Sequence, residues 1–549
     1  MLIAYRQTVR EICSRQPLLL GAVSFLIGIA WGYRAGLWVL AVVGVFLCGC
    51  FIWWLSVVRS HRRTMFCVGL IFFFGWFLSA RDVAGRSHEA EKFLEVVTRR
   101  SYVCRVGSDV QIKPLRGKAA QYRFSGESFQ SADGRARAHF LPVDVTWYGA
   151  KECEGVSVPH AGEVWRLSGK ASLVQGRDGL TRLRVNTGES RSERLVAADS
   201  SSWLARVSHA RRLATARVAL GIESWGDVPA LNQAILLGHR QTLSPALRRI
   251  FVNSGTIHVF AISGLHIVLV AAVLSLVIST LGVPRPYWVI ALAPPLIFYT
   301  VITGARPSAV RACLMTLLYF TGPLFSRKPS GVAALAGTVL LVYGAQPWLL
   351  YDVGCTLSFV VMAGLITLCP PFCQIGQRFS HCDVFTQRAV LFEAAGSMYR
   401  AKGLKMAGTL LRGLTDALAV SVAAWLSSIP LTAHYFGRVT PGGVFANLII
   451  GPCAFVIVVA GCLGMIASLV SDWVASCFNH AAGLFTQMMV VTARWVSTIP
   501  GANLRVTKWP VWLVWLWFGL LLLLSLWLHT RRKEQGQGLA WLKKNDPEH

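Results

Sequence analysis

The sequence predicts an α-helical polytopic membrane protein of about 11–12 spans with a small β domain inserted after the third. The first observation is composition. The 549 residues are 54% hydrophobic and only 15% charged, with a mean hydropathy of +0.51; an average soluble domain is about a quarter charged. The second is grouping, because the apolar residues gather into runs of the length that crosses a bilayer, about 17–25 residues. The third is one interruption. Between 81 and 200 the runs shorten, charge rises, and apolar and polar residues alternate.

Runs near 18–33, 37–57 and 64–80 make an N-terminal three-span region, 1–80. Arg6, Arg10 and Arg15 precede the first run and "RSHRR" (59–63) follows the second. Cytoplasmic loops collect Lys and Arg, so both stretches face the cytoplasm and 81–200 faces outward. The long basic start and the lack of a small-residue cleavage site make the first run an anchor rather than a cleaved signal. Nine further runs follow, near 257–281, 287–303, 307–321, 331–347, 352–371, 415–437, 443–470, 474–498 and 509–529. Alternation puts "SRK" (326–328), the basic stretch 372–413 and "RRK" (531–533) inside. That leaves both termini cytoplasmic, with a short tail at 531–549. The net charge of +28 is largely this orientation, and it also fits a polyanionic partner.

The inserted region carries "VDVTWYG" (143–149), "EVWRLSG" (163–169) and "TRLRVNT" (181–187). Alternation bounded by glycine reads as half-buried strands, and several such strands make a small barrel or sandwich. It holds 20 Lys and Arg against 15 Asp and Glu, a mild positive bias. Cys104 and Cys153 fall here, in a compartment that permits a disulfide. The other cysteines lie mostly in apolar runs, as small hydrophobes. "CPPFC" (369–373) has no zinc spacing. Residues 201–255 read as surface or re-entrant helices. "WLARVSHARRLATARVALGI" (203–222) is basic and amphipathic, best placed along the membrane surface. The pieces 229–240 and 244–255 start with Pro or Ser-Pro. "GEVWRLSGK" (162–170) has the wrong glycine spacing for a phosphate loop, and no H-x-H or H-E-x-x-H occurs. The sequence therefore offers no cofactor or metal site, and no nucleotide site to power transport.

Four stretches carry polar chemistry where lipid-like residues dominate. In "NSGTIHVFAISGLHIVLVA" (253–271), one continuous helix would set His258, Ser263 and His266 towards one side, beside Asn253. They could hydrogen-bond neighbouring helices, line a wet path, or form a Ser/His pair; the last lacks an orienting carboxylate and a G-x-S-x-G turn. In "TGARPSAVRACL" (303–314), Pro307 starts a helix with Arg306, Ser308 and Arg311 around its first turn, an arrangement suited to anions. Arg306 can equally snorkel to the interface. Asp352 opens the next candidate span, as an N-cap or a partner for Arg306 or Arg311. In "SSIPLTAHYFGRVTPGGVFANLIIGP" (427–452), His434 and Asn447 bracket a turn, with Pro430 expected to kink the span.

These segments together resemble the ComEC family of competence proteins. The carrying residues are "AILLGHRQTLSPALRRIFVNSGTIHVFAISGLHIVLVA" (234–271), "TGARPSAVRA" (303–312), "DVGCTLSFVVMAGL" (352–365) and "SSIPLTAHYFGRV…ANLIIGP". The likeness covers roughly 230–470, in order and spacing. It implies an inner-membrane channel, in the competence-type region 256–530, for single-stranded DNA during natural transformation, with no catalysis by this chain. It implies an OB-like fold for 81–200. It also implies partners: an upstream DNA receptor and a cytoplasmic ATP-driven motor or single-strand-binding proteins, with self-association left open. Many family members end in a metallo-β-lactamase-type domain, whose H-x-H-x-D-H is absent here. Asn253, His258, Ser263, His266, Arg306, Ser308, Arg311, Asp352, His434 and Asn447 would then line the path. The rivals are a carrier of another anionic solute and an intramembrane Ser/His hydrolase.

Overall fold

The structure, a computed structural model, describes residues 22–29, 71, 74–79, 81–82, 101–106, 111–114, 119–131, 143–150, 163–175, 181–188, 192–196, 203–239, 243–260, 264–379 and 398–544. The expected span 37–57, Ser263 and Cys153 lie outside them.

Among the described residues the inserted domain has eight strands: β1 (Ser101–Val106), β2 (Gln111–Pro114), β3 (Ala119–Ser131), β4 (Val143–Ala150), β5 (Val164–Ser168), β6 (Lys170–Gln175), β7 (Thr181–Gly188) and β8 (Ser192–Val196). The long β3 serves two neighbours. Its first half pairs with β4 and its second half with β1. β5 pairs with β1 and β6 pairs with β7, and only Gly169 separates β5 from β6. They are one strand bent at a corner. The circuit β1–β3–β4–β7–β6/β5–β1 therefore closes, with a single parallel pair, β4 with β7. This is the connectivity of a five-stranded OB-like barrel. β2 is an extra hairpin on β3 and β8 an extra edge on β5. A Cβ on Gly169 would sit 2.2 Å from the Asn186 carbonyl oxygen, so the corner admits only glycine. Inside, Trp147 meets Tyr122 edge-on at 5.0 Å and Trp165 at 6.2 Å. Buried Glu163 accepts from the Trp165 indole at 2.8 Å and pairs with Arg194 at 3.3 Å.

The helices follow: α1 (Trp203–Ala219), α2 (Val228–Leu237), α3 (Pro245–Asn253), α4 (Gly264–Thr280), α5 (Trp288–Ile302), α6 (Pro307–Thr321), α7 (Gly331–Ala345), α8 (Val353–Phe379), α9 (Met398–Phe436), α10 (Gly442–Ala467), α11 (Asp472–Thr498) and α12 (Val511–Lys544). Each of the nine runs expected after 256 contains one of these helices. Among the described residues six helical stretches are long and apolar enough to cross a membrane, and α2, α4, α7 and the first half of α12 are shorter apolar helices. The chain is thus a multi-pass membrane protein with a small β domain. α9 continues through Pro430 and, at 39 residues, is about 58 Å long.

The expected surface helices differ in course from the sequence reading. The last turn of α1 is tied to the α10–α11 turn. Arg217 pairs with Asp472, and buried Asn479 donates from Nδ2 to the carbonyls of Arg217 and Leu220, both at 2.9 Å. After α2 and α3 the chain reaches the other end of the α10–α11 hairpin. There Gly255 (φ +76°) lies against Thr440 and Gly443. α2 and α3 therefore run back along the hairpin. They bury Leu231, Ile235, Leu236 and Phe251 in one apolar core with Ile450, Ile457 and Met489. Hydropathy underrates them because each is short and half polar.

Candidate functional site

Arg311 is the centre of the site. Pro307 starts α6 with its ring preset for the first turn, and Arg311 follows one turn in. Its side chain is 2% exposed. The guanidinium carbon lies 5.5 Å from the centre of the Phe359 ring on α8. A Cβ built on Gly264 would lie 3.2 Å from Arg311 Nη2, so the guanidinium faces the first residue of α4. Nε and Nη1 have no hydrogen-bond partner. Burying a cation with unmade hydrogen bonds costs several kcal/mol. A helix start presents free N–H groups and positive dipole character, so it cannot compensate that charge. An anion can, since it would accept from the guanidinium and from the α4 amides together.

Of the remaining sequence-derived residues, His266 is buried in the first turn of α4 and Ser308 is half-buried in the first turn of α6. Exposed Asn253 ends α3 and accepts from Asn503 Nδ2 at 3.1 Å. His258 is exposed and its Nδ1 sits 3.2 Å from the Gly255 carbonyl oxygen. The single helix expected over 257–281 is not formed. Ile257–Phe260 is a 3-10 turn and α4 begins only at Gly264. Gly255 in the left-handed region turns the chain there, so His258 and His266 do not share a helical face.

Three expected lining residues are occupied with structure. Arg306 Nη2 donates to the Gly238 carbonyl at 3.0 Å, beside Tyr299 Oη on the Leu236 carbonyl at 3.0 Å. A cation and a hydroxyl thus finish the C-terminal end of α2, where positive charge is favoured. Asp352 Oδ1 accepts from the Cys355 amide at 2.7 Å, capping α8; it forms no ion pair with Arg306 or Arg311, because the cap holds it at an exposed position. His434 Nδ1 donates to the Trp509 carbonyl at 2.6 Å, joining the end of α9 to the approach to α12. Asn447 is half-buried in the second turn of α10.

Outside the membrane helices, Cys104 is a free thiol buried in β1, and burial pushes its pKa up to about 12. Among the described residues no three metal-ligating side chains gather. A Ser/His pair absent from the sequence reading exists in α11: Ser476 Oγ lies 3.3 Å from His480 Nδ1. That nitrogen also sits 2.7 Å from the Ser476 carbonyl, and the ring stacks edge-on with Trp225 at 5.2 Å. It packs α11 onto the α1–α2 turn. Asn479 was likewise missed; its only sequence signal is a polar residue inside an apolar run.

A multi-pass helical bundle with a buried, uncompensated arginine and an OB-like insertion is the class of protein defined so far. The model of the family "Competence protein" matches residues 235–531, over half the chain, and the protein belongs to that family. Among its relatives, ComE operon protein 3 of Bacillus subtilis (strain 168) is 31% identical over 149 residues, 27% of this chain and 19% of that protein. Competence protein ComA of Neisseria gonorrhoeae is 25% identical over 235 residues, 40% of this chain and 34% of that one. An uncharacterized protein of Aquifex aeolicus (strain VF5) is 25% identical over 239 residues, 43% and 48% respectively. The matched part is thus less than half of each relative's length. No solved structure matches the chain.

Proposed function

We propose that this protein conducts single-stranded DNA across the cytoplasmic membrane during natural transformation, as a channel rather than an enzyme. The observation that carries the reading is Arg311: a buried guanidinium with two unpartnered nitrogen groups, aimed at a helix start, in a chain of the competence family. A polyanion cannot enter hydrocarbon, and phosphates crossing the bundle need buried donors that are not already spent. Gly264 faces that point, and in this reading His266, Ser308, Asn253 and His258 belong to the same path. Arg306, Asp352 and His434 act as fixed joints that hold the elements around the path, with Asn447 beside them on α10.

In this reading residues 81–200 lie outside and both termini inside. The OB-like barrel receives a strand from an upstream DNA receptor, and a cytoplasmic motor or single-strand-binding proteins draw it in. The test is Arg311→Ala in the host, with membrane levels checked by immunoblot. We expect uptake of labelled DNA to fall at least tenfold, about 1.4 kcal/mol, with Arg311→Lys retaining part of it. Normal uptake in Arg311→Ala would remove the residue from the path. Competition by a smaller organic anion, with no effect of the variant on DNA, would favour a solute carrier instead.

A further inference from the structure

Two residues after α9 the chain makes β9 (Arg438–Val439), which pairs antiparallel with β10 (Leu504–Arg505) between α11 and α12. In that ladder Arg438 stands directly opposite Arg505. Residues opposite each other share one face with Cβ atoms about 5 Å apart, and like charges there repel. The sequence contains no acid between Asp416 and Asp472, nor between Asp472 and Glu534. Among the described residues neither arginine, nor nearby Lys508, is ion-paired, and Arg438 Nη1 is a buried nitrogen with no hydrogen-bond partner. Lys508 joins them, its Cγ 3.9 Å from a Cβ built on Gly437. The aromatic rings of Tyr435 and Phe436, 40% and 60% exposed, precede the ribbon. The amides of Asn503 and Asn253 lie at its other end.

We infer that the β9–β10 ribbon is a phosphodiester-binding strip that seats a single nucleic-acid strand at the mouth of the path, with Arg438, Arg505 and Lys508 on phosphates and Tyr435 and Phe436 stacking on bases. An anion between the two guanidiniums converts their repulsion into attraction. The five steps from Asn503 to Lys508 can reach at most roughly 16 Å, enough for successive phosphates of one strand. A lipid headgroup offers one phosphate at a time, whereas a strand presents successive phosphates to the three cations. Basic residues interleaved with aromatics are the pattern of sequence-indifferent single-strand binding. The inference rests on the reading of the protein as a DNA channel.

The test uses the full-length protein in nanodiscs of zwitterionic lipid, titrated with a fluorescein-labelled 20-nucleotide single strand at several salt concentrations. The double substitution Arg438→Gln, Arg505→Gln should raise Kd at every salt and lower the slope of log K against log salt by about 1.4, about 0.7 for each lost phosphate contact. Arg438→Lys with Arg505→Lys keeps the charge and should keep most of the slope, which separates lost charge from a misfolded ribbon. Equal binding and slope in the wild type and the double Gln variant would overturn the inference while leaving the channel reading intact. No binding by the wild type would count against both. Loss of binding by the Gln variant only in discs of anionic lipid, with altered lipid retention, would assign the strip to headgroups and also overturn it.

Discussion

Single residues in this protein divide by whether their hydrogen bonds are spent. Arg306, Asp352 and His434 look as polar in the sequence as Arg311, yet each is consumed by a carbonyl or an amide at a helix end. Of these four, Arg311 alone keeps buried nitrogen groups in reserve. The sequence displays residue type and spacing, so it brought all four forward together. What it cannot display is the partner, which comes from another helix dozens of residues away. Cys104 makes the same point through its environment. Its thiol, buried in β1, titrates near 12 rather than at the ordinary 9.0. The folded chain therefore keeps this proton between about pH 9 and 12 while the unfolded chain loses it, so this group lowers stability as pH rises through that window. We expect iodoacetamide at pH 9 to leave Cys104 unmodified in the folded protein and to modify it after denaturation, read by peptide mass spectrometry.

At the scale of elements, hydropathy found every helix after 256 but misjudged two kinds of segment. α2 and α3 are too short and too polar to register as spans; their buried polar side chains reach other helices, Asn232 accepting from Thr486 of α11 and Gln233 donating to the Thr215 carbonyl of α1. The run at 257–281 was read as one helix because the bilayer-like composition is continuous, while the break depends on one left-handed glycine, Gly255. The β domain was legible as strands from alternation. Its closure into a barrel was not, since the bent β5–β6 strand and the shared β3 are matters of pairing. The cap that Asn479 places on α1 sets how that basic helix meets the bundle. Asn479→Ala removes two hydrogen bonds to carbonyls at the end of α1 and should cost about 1–3 kcal/mol, seen as a lower aggregation temperature of the detergent-solubilised protein. No change in that temperature would mean that water replaces the amide.

The whole molecule is organised along the α10–α11 hairpin. α1 reaches one end of it and α3 returns to the other, so the segment after the β domain passes down and back before the first regular helix of the competence region. In the proposed orientation 437–443 and 499–508 lie on the side of the β domain and 326–328 opposite. We expect a membrane-impermeant maleimide to label Leu504→Cys on intact spheroplasts and to label Ser326→Cys only after permeabilisation, in a background without other reactive cysteines. Labelling of both from outside would break the proposed orientation.

An uncompensated guanidinium inside the bundle also has an electrical meaning. A cell that admits DNA through its inner membrane risks short-circuiting that membrane, since a path wet enough for phosphates is wet enough for sodium ions and protons. The driving force on each of those cations is about 2.3 kcal/mol per 100 mV, directed inward. In the proposed channel Arg311 is a fixed positive charge standing in their way, and among the described residues no carboxylate pairs with it. In the proposed channel it would repel leaking cations while the path is empty. With a strand present, the phosphates would neutralise it and the strand itself would fill the space. On that reading the same unpaired charge is seat for the cargo and seal in its absence.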